Sequence, residues 1–368
     1  MVATVADQPI LVTRGESELH AFYNVCRHRG SLLLENNGRH EVIHCPYHAW
    51  GYNLSRQLLG CPYFDGIATD AETDAAFDMS TVKNYDKRDY GLLPVHVDSW
   101  GCFVFVNLDA TPMPLADWLG DLPQRLARYP LCDLTLMNRK QFDVGANWKL
   151  VAENFMEYYH LPWVHPELCT VSGMKQHHPY QGSGMYTGMT TSPLSYNPTN
   201  PLSAKLPPMH GLSDMEQDSA YWIFLFPNTA LFLLPNHLFT LVIRPIGPHQ
   251  TIESADLLVP PKACGEPALE KQYTAIFDFS DLVNQQDIAA VERVQSGLQA
   301  RAYSGGRMCY RFEEPIHRFQ NMVIDFMVGE PRIPPGDFNE GCEGLPPQRP
   351  LIAPGDRNAS QGNGTTES

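Results

Sequence analysis

The chain has 368 residues, 43% of them hydrophobic, with 26 Lys+Arg against 41 Asp+Glu for a formal charge of −15. That length leaves room for two or three domains around large apolar cores, and the acidic balance excludes the concentrated basic face that a nucleic-acid partner needs. No run approaches the roughly 18 apolar residues of a transmembrane helix, and the start MVATVADQPILVTRGESE lacks the basic and apolar regions of a signal peptide. A cytoplasmic protein with no membrane partner is expected, its 9 cysteines being reduced thiols or metal ligands instead of a disulfide framework.

In chain order, short β-type runs come first. From Pro9 to about Asp109, PILVT, LHAFYNV, EVIHC and GCFVFVNL are punctuated by Gly, Asn and Pro, as in a small β-sandwich or barrel. A helix is predicted over 115–129, then another over 148–160 that Pro162 ends, because proline has no amide donor and clashes with the preceding turn. YWIFLF, ALFLL, LFTLVIRP and TIESADLLV follow, separated by Pro-Asn and Pro-His turns, the pattern of an antiparallel meander. A long amphipathic helix is predicted over 280–302. Beyond Pro331 the chain becomes rich in Pro and Gly, with too little apolar surface to offset ordering entropy.

Chemistry concentrates in two stretches. The first, NVCRHRGSLLLENNGRHEVIHCPYHAWG, carries Cys26-x-His28 and Cys45-x-x-His48. A tetrahedral zinc clip uses the same thiolate and imidazole ligands, usually ordered as a cysteine pair followed by a histidine pair. Here each turn supplies one of each. That suits an asymmetric [2Fe-2S] cluster, two thiolates on one iron and two imidazoles on the other. Such a cluster alone would equally fit a small electron carrier.

The second stretch is NWKLVAENFMEYYHLPWVHPEL. Glu157 and His160 stand three apart and would share a face of the predicted helix, and the turn at Pro162 can swing His165 beside His160. A non-heme iron(II) site also needs a carboxylate. In DLVNQQDIAAVERVQSGLQ, Asp287 lies in register with Ala290, Val291, Val294 and Leu298, an apolar stripe on which an ionised group calls for a cation or donors. An exposed edge carboxylate is the alternative. His177 and His178, adjacent in a polar loop, are expected to be exposed. Tyr221, Trp222, Phe224 and Phe226 are either ordinary core or walls of a pocket able to hold a quaternary ammonium.

Cys26-Arg27-His28-Arg29-Gly30 and Cys45-Pro46-Tyr47-His48-Ala49-Trp50 resemble the cluster loops of the Rieske non-heme iron oxygenases, in their large (alpha) subunit. NWK-x3-ENF-x-E-x2-H-x4-HP is similar to that family's iron-binding signature, and Q-D-x4-E-x2-Q to the segment bearing its third ligand. The resemblance implies an α+β fold: an N-terminal Rieske β-sandwich domain over 1–110, then a helix-grip, antiparallel-sheet catalytic domain over 111–330; the composition of 331–368 adds the expectation of a disordered tail. It implies Cys26, His28, Cys45 and His48 as ligands of a [2Fe-2S] Rieske cluster, and His160, His165 and Asp287 as ligands of a mononuclear Fe(II). Glu157 matches the acid that links a Rieske histidine of one subunit to an iron-ligating histidine of its neighbour, and Asn154 the asparagine beside the site. Glutamate at that position is reminiscent of the branch acting on carnitine and related quaternary amines. The implied reaction is therefore O2-dependent hydroxylation with N-demethylation of a betaine, choline or carnitine, the alternative being aromatic ring dihydroxylation. The implied partners are O2, a small organic substrate, two further copies in a homotrimer, and a separate flavin and iron-sulfur reductase drawing on NAD(P)H, since the chain shows no G-x-G-x-x-G unit of its own. A Rieske electron carrier and a zinc-stabilised binding protein remain as the other classes.

Overall fold

A computed structural model describes residues 1–15, 18–62 and 84–329, so the tail expected over 331–368 lies outside the described residues. The chain divides after Leu115 into two compact units.

The first unit is all β: β1 (Val2–Val5), β2 (Gln8–Arg14), β3 (Leu19–Tyr23), β4 (Ile43–His44), β5 (Gly51–Tyr52), β6 (Leu58–Gly60), β7 (Pro94–Trp100) and β8 (Phe103–Asn107). An antiparallel sheet runs β1-β2-β3-β7-β8, and a small one β4-β5-β6. The two residues joining β1 to β2, Ala6 and Asp7, both have positive φ, the backbone twist that a two-residue hairpin demands. Side chains alternate along β2, so its two faces feed two cores. Ile10 and Val12 pack with Ala21 and Val95, while Leu11 joins Phe22, Trp50, Tyr52 and the two buried thiols Cys26 and Cys45.

The second unit adds β9 (Thr135–Val144), β10 (His177–Pro179), β11 (Tyr186–Thr191), β12 (Ala220–Leu225), β13 (Thr229–Leu233), β14 (Leu238–Gly247) and β15 (Gln250–Val259). They form one antiparallel sheet in the order β10-β11-β12-β13-β14-β15-β9, in which β12 and β13 are buried along their whole length. The helices in chain order are α1 (Leu115–Leu119), α2 (Leu122–Arg125), α3 (Trp148–Met156), α4 (Leu161–Val164), α5 (Asp214–Gln217), α6 (Pro267–Gly297) and α7 (Tyr310–Val328). Helix α3 packs on α6, α7 and the sheet. The expected meander β12 to β15 is present, whereas β9, β11 and α7 had no sequence expectation.

Four expectations need correction. The helix over 115–129 is two short helices broken at Gly120, whose φ is +55° and where a Cβ would stand 2.4 Å from the Gly184 amide nitrogen. The helix over 148–160 stops at Met156, and Pro162 opens a new turn instead of closing the old one, because a first-turn proline sacrifices no hydrogen bond. The long helix starts at Pro267, and Val294 and Leu298 are 49% and 42% exposed. Its buried face instead runs through Tyr273, Ile276, Ser280, Asn284, Val291 and Gln295. Those polar members are buried with partners: Asn284 Nδ2 donates to Glu253 at 2.9 Å, and Gln295 accepts from the Asn147 amide at 2.8 Å. Finally, His177 is not exposed but fully buried on β10, stacked on Tyr158 with ring centroids 4.6 Å apart.

Candidate functional site

In the first unit, two loops repeat one design. Cys26 N donates to Ser31 O and Gly30 N to Cys26 O; Cys45 N donates to Trp50 O and Ala49 N to Cys45 O. Each loop closes through a left-handed residue, Gly30 at φ +73° and Ala49 at φ +56°, the alanine accepting a strain of about 1 kcal/mol. The result brings Cys26 and Cys45 together, 2% and 3% exposed, and sets the His28 and His48 rings 4.6 Å apart. Both Nδ1 atoms are buried, and that of His48 meets no hydrogen-bond partner among the described residues. Trp50 stacks on His28 at 4.8 Å and 7°.

The electrostatics favour the metal-ligating form at Cys45 and His28, while Cys26 holds its proton until a metal displaces it. Burial pushes both thiols up; it prevails at Cys26, whereas at Cys45 the Tyr47 and His48 amides outweigh it and hold the thiol below its ordinary value. Burial, with the neighbouring His48 and Arg29, lowers His28 and keeps it neutral. Two convergent thiols facing two imidazoles fit a [2Fe-2S] cluster of mixed ligation. Tyr52, which the sequence offered no signal for beyond its place two residues after Trp50, donates to this site: its hydroxyl accepts from Arg27 N at 3.1 Å and lies 3.4 Å from Cys26 Sγ.

In the second unit, the Asn147 side chain caps α3 by accepting from Lys149 N at 3.1 Å. The helix ends at Met156, leaving Glu157 extended at φ −117°, ψ 161°. Glu157 and His160 therefore share no helix face, yet they meet. The Glu157 carboxylate accepts from the Tyr159 amide, from the His160 amide at 3.2 Å and from His160 Nδ1. His160 and His165 are the two caps of α4, which brings their rings to 5.1 Å at 81°. On α6, Asp287 Oδ1 lies 2.7 Å from His165 Nε2 and 3.5 Å from His160 Nε2, and one ligand atom from each of the three residues falls within 4.8 Å of the others. Asn154 Nδ2 donates to the same Oδ1 at 2.6 Å.

The donor set fits a two-histidine, one-carboxylate ion. Ligands about 2.1 Å from a common centre and at right angles stand about 3 Å apart, a value that the two observed separations bracket. Each imidazole turns Nε2 inward because Nδ1 is occupied: by Glu157 at His160, and at His165 by Gln286 Oε1 at 2.7 Å. Gln286 had not been singled out; its signal is its place beside Asp287. Burial opposes protonation of His165, which is 1% exposed, but the hydrogen bond and charge of Asp287 prevail and raise its pKa. A divalent cation would occupy the place of that proton. Asp287 also borders a cavity walled by Phe155, Trp222, Phe232, Phe239 and Phe279, so Trp222 lines a pocket as well as being core, stacked on Phe232 at 3.6 Å.

A sandwich unit with mixed Cys/His loops, followed by a sheet-and-helix unit holding a two-histidine, one-carboxylate triangle, defines a Rieske-type oxygenase architecture. The chain belongs to the ring hydroxylating alpha subunit family: the catalytic-domain family matches residues 131–329, more than half of the chain, and the Rieske [2Fe-2S] domain family matches residues 1–71. It is 27% identical over 325 residues to a chloroplastic choline monooxygenase of Atriplex hortensis, covering 86% of this chain and 66% of that one. It is 29% identical over 309 residues to a carnitine monooxygenase oxygenase subunit of Acinetobacter pittii (strain PHEA-2), covering 82% and 75%. Its fold matches a quaternary ammonium Rieske monooxygenase structure with TM-score 0.73 and 26% identity, over 89% of this chain and 84% of the other. The chain thus spans just under two thirds of the length of the Atriplex choline monooxygenase.

Proposed function

We propose that this protein is the oxygenase component of a Rieske system that hydroxylates a quaternary or related amine at a mononuclear iron. The observation that carries the reading is the His160, His165 and Asp287 triangle at the edge of an aromatic cavity. In this reading those three residues hold Fe(II), and Cys26, Cys45, His28 and His48 hold the [2Fe-2S] cluster. When bound, the cluster supplies single electrons and the iron activates O2 beside the substrate. The chain's own residues do the rest. Glu157 and Gln286 hold the protons of His160 and His165 on Nδ1 and so fix the ligating tautomers. Asn154 orients Asp287 through its amide. The aromatic walls exclude water and present π-faces to a cationic head.

The finer parts of the proposal are a homotrimer in which Glu157 links the iron of one protomer to the cluster of the next, a separate NAD(P)H-dependent flavin and iron-sulfur reductase, and a cytoplasmic setting, where reduced nicotinamide is held. Among the described residues no helix is long and apolar enough to cross a membrane. Monooxygenation is favoured over ring dihydroxylation by the amine-directed names of the relatives.

The test is iron and acid-labile sulfide content, then oxygen uptake with a surrogate reductase across a panel of quaternary amines and aromatic acids. Three irons per chain with sulfide, and uptake coupled to formaldehyde or aldehyde from an amine, are expected. Diol formation from an aromatic acid with no amine turnover would replace this reading by ring dihydroxylation, and zinc without sulfide would end it.

A further inference from the structure

Helix α6 gives the aromatic cavity its polar edge. Ser280, Asn284 and Asp287, four and then three residues apart, share one face of the helix and all line the cavity, whose remaining walls are apolar or aromatic among the described residues. The three differ in what they leave free. Asp287 belongs to the metal triangle, and Ser280 spends its hydrogen on the Ile276 carbonyl at 2.9 Å, within its own helix. Asn284 is 5% exposed, and its Nδ2 donates at 2.9 Å to Glu253 of β15, itself 2% exposed. An ionised carboxylate can only accept, so Glu253 fixes which way the amide is turned. The Asn284 carbonyl oxygen is left on the other side of that amide, and it accepts no hydrogen bond among the described residues. An amide held from behind in this way is a fixed acceptor in an otherwise apolar cavity.

Resting on the amine-oxygenase function proposed above, we propose that Asn284 is a specificity-determining residue of this site. Its side-chain oxygen accepts from a hydroxyl on the second carbon from the substrate nitrogen, and Glu253 is the positioning residue that aims it. Spacing selects that hydroxyl. Asn284 and Asp287 are three residues apart, about 4.5 Å along the helix axis. In a 2-hydroxyethyl amine the N-methyl carbon and the hydroxyl oxygen stand about 5 Å apart when extended, so one end can lie beside the metal triangle while the other meets Asn284. An ammonium N–H sits on the atom that bears the methyl group and cannot reach both places. Desolvation gives the selection its strength, because a substrate without the hydroxyl takes water from the Asn284 oxygen and returns no hydrogen bond. The residue thus divides amines of similar size: choline and carnitine carry such a hydroxyl, whereas glycine betaine and γ-butyrobetaine do not.

The test uses matched pairs that differ in the hydroxyl alone: choline against 2-fluoroethyltrimethylammonium, where fluorine fills the place of the hydroxyl but has no hydrogen to give, and L-carnitine against γ-butyrobetaine. With the metal-loaded full chain and a surrogate reductase, kcat/KM from product-coupled oxygen uptake is measured at about pH 8, where Glu253, raised by burial to about 7, is ionised. The hydroxyl-bearing member of each pair is expected to win by about tenfold, and anaerobic calorimetry on the same protein should give a similar ratio in Kd. Glu253→Gln keeps a hydrogen bond to Asn284 but lets the amide face either way, and should lower the ratio to about threefold. Asn284→Leu combined with Glu253→Met removes both partners, so that no buried polar group is orphaned, and should bring the ratio to about one. The wild-type ratios test the proposal even where a variant fails to fold. Wild-type ratios near one, or a tenfold ratio surviving in the iron-loaded double variant, would overturn the role of Asn284 while leaving amine oxygenation standing. Coupled turnover of aromatic acids with none of the amines would overturn both.

Discussion

Replacing Tyr52 by Phe removes a single oxygen from the wall of the proposed cluster site and leaves the packing intact. Tyr52 is 0% exposed, and its hydroxyl accepts from Arg27 N at 3.1 Å. A hydroxyl that already accepts still has one proton to give, and here it meets Cys26 Sγ at 3.4 Å. Burial, reinforced by the Cys26 contact, pushes the phenol pKa far above its ordinary value, so the proton stays on oxygen at every working pH. A hydrogen bond to a charged acceptor contributes about 1.5 kcal/mol, and it strengthens as the sulfur gains electron density on reduction. Were that whole amount confined to the reduced state, the reduction equilibrium would change tenfold, or about 59 mV for one electron. Tyr52→Phe is therefore expected to lower the cluster potential by some tens of millivolts, about 59 mV if that whole amount acts on the reduced state. The assay is a spectroelectrochemical titration of the metal-loaded protein, with visible and EPR spectra confirming that both histidines still ligate. The orphaned Arg27 amide should also lower stability by about 1–3 kcal/mol. A variant with an unchanged spectrum and an unchanged potential would refute the donation to Cys26.

Asp287→Ala is expected to remove one iron of three per chain and all coupled turnover while sparing the acid-labile sulfide; full iron retention by elemental analysis would contradict the ligand assignment. Glu157→Gln keeps the size of the side chain but removes the charge that holds His160 Nδ1, so both metals should remain while turnover falls about 10–100-fold. His237 is fully buried, and burial lowers its pKa to about 3, so it stays neutral in the fold while the unfolded chain takes up a proton near pH 6.5. Its contribution to stability is therefore complete above about pH 6.5 and is lost as the pH falls, by about 1.6 kcal/mol at pH 5. His177, lowered to about 4 by burial, acts in the same direction, while Glu253, raised to about 7 by burial, acts in the opposite one. The urea-unfolding free energy of His237→Gln should accordingly lose about 1.6 kcal/mol less than that of the wild type between pH 6.5 and 5.

Much of the fold could be read from patterns with short memory. The runs that became β12 to β15 are apolar and turn-bounded, and their pairing follows from adjacency in the chain. β9 could not be read in the same way. TLMNRKQFDV has mixed polarity because its polar side chains are matched by residues far along the chain, Arg139 by Asp256 and Lys140 by Asp281. The same blindness misplaced the inner face of α6: a rule that looks for apolar repeats selects Val294 and Leu298, while the fold buries Asn284 and Gln295 because Glu253 and the Asn147 amide are waiting for them. His177 was misjudged for a related reason. A histidine in a polar segment is expected in water, but Ser172 at 3.2 Å and the Gly173 carbonyl at 2.9 Å satisfy both ring nitrogens inside the core.

The candidate site shows a correct residue set resting on a partly wrong local geometry. His160 and His165 were expected to meet through a helix that Pro162 broke, and they meet because each caps α4, which Pro162 begins. Glu157 was placed on a helix face with His160, and it reaches the imidazole only because the helix has already ended and the chain is extended. In a continuous helix a glutamate three residues ahead would point along the helix surface, with its carboxylate left to solvent. Released from the helix, the same carboxylate gathers two backbone amides and one imidazole, which fixes its position before any metal or partner arrives. Stopping α3 one residue before the acid is thus what makes the acid a rigid support for His160, and a substitution that prolonged α3 through Glu157 would undo that support without touching a ligand.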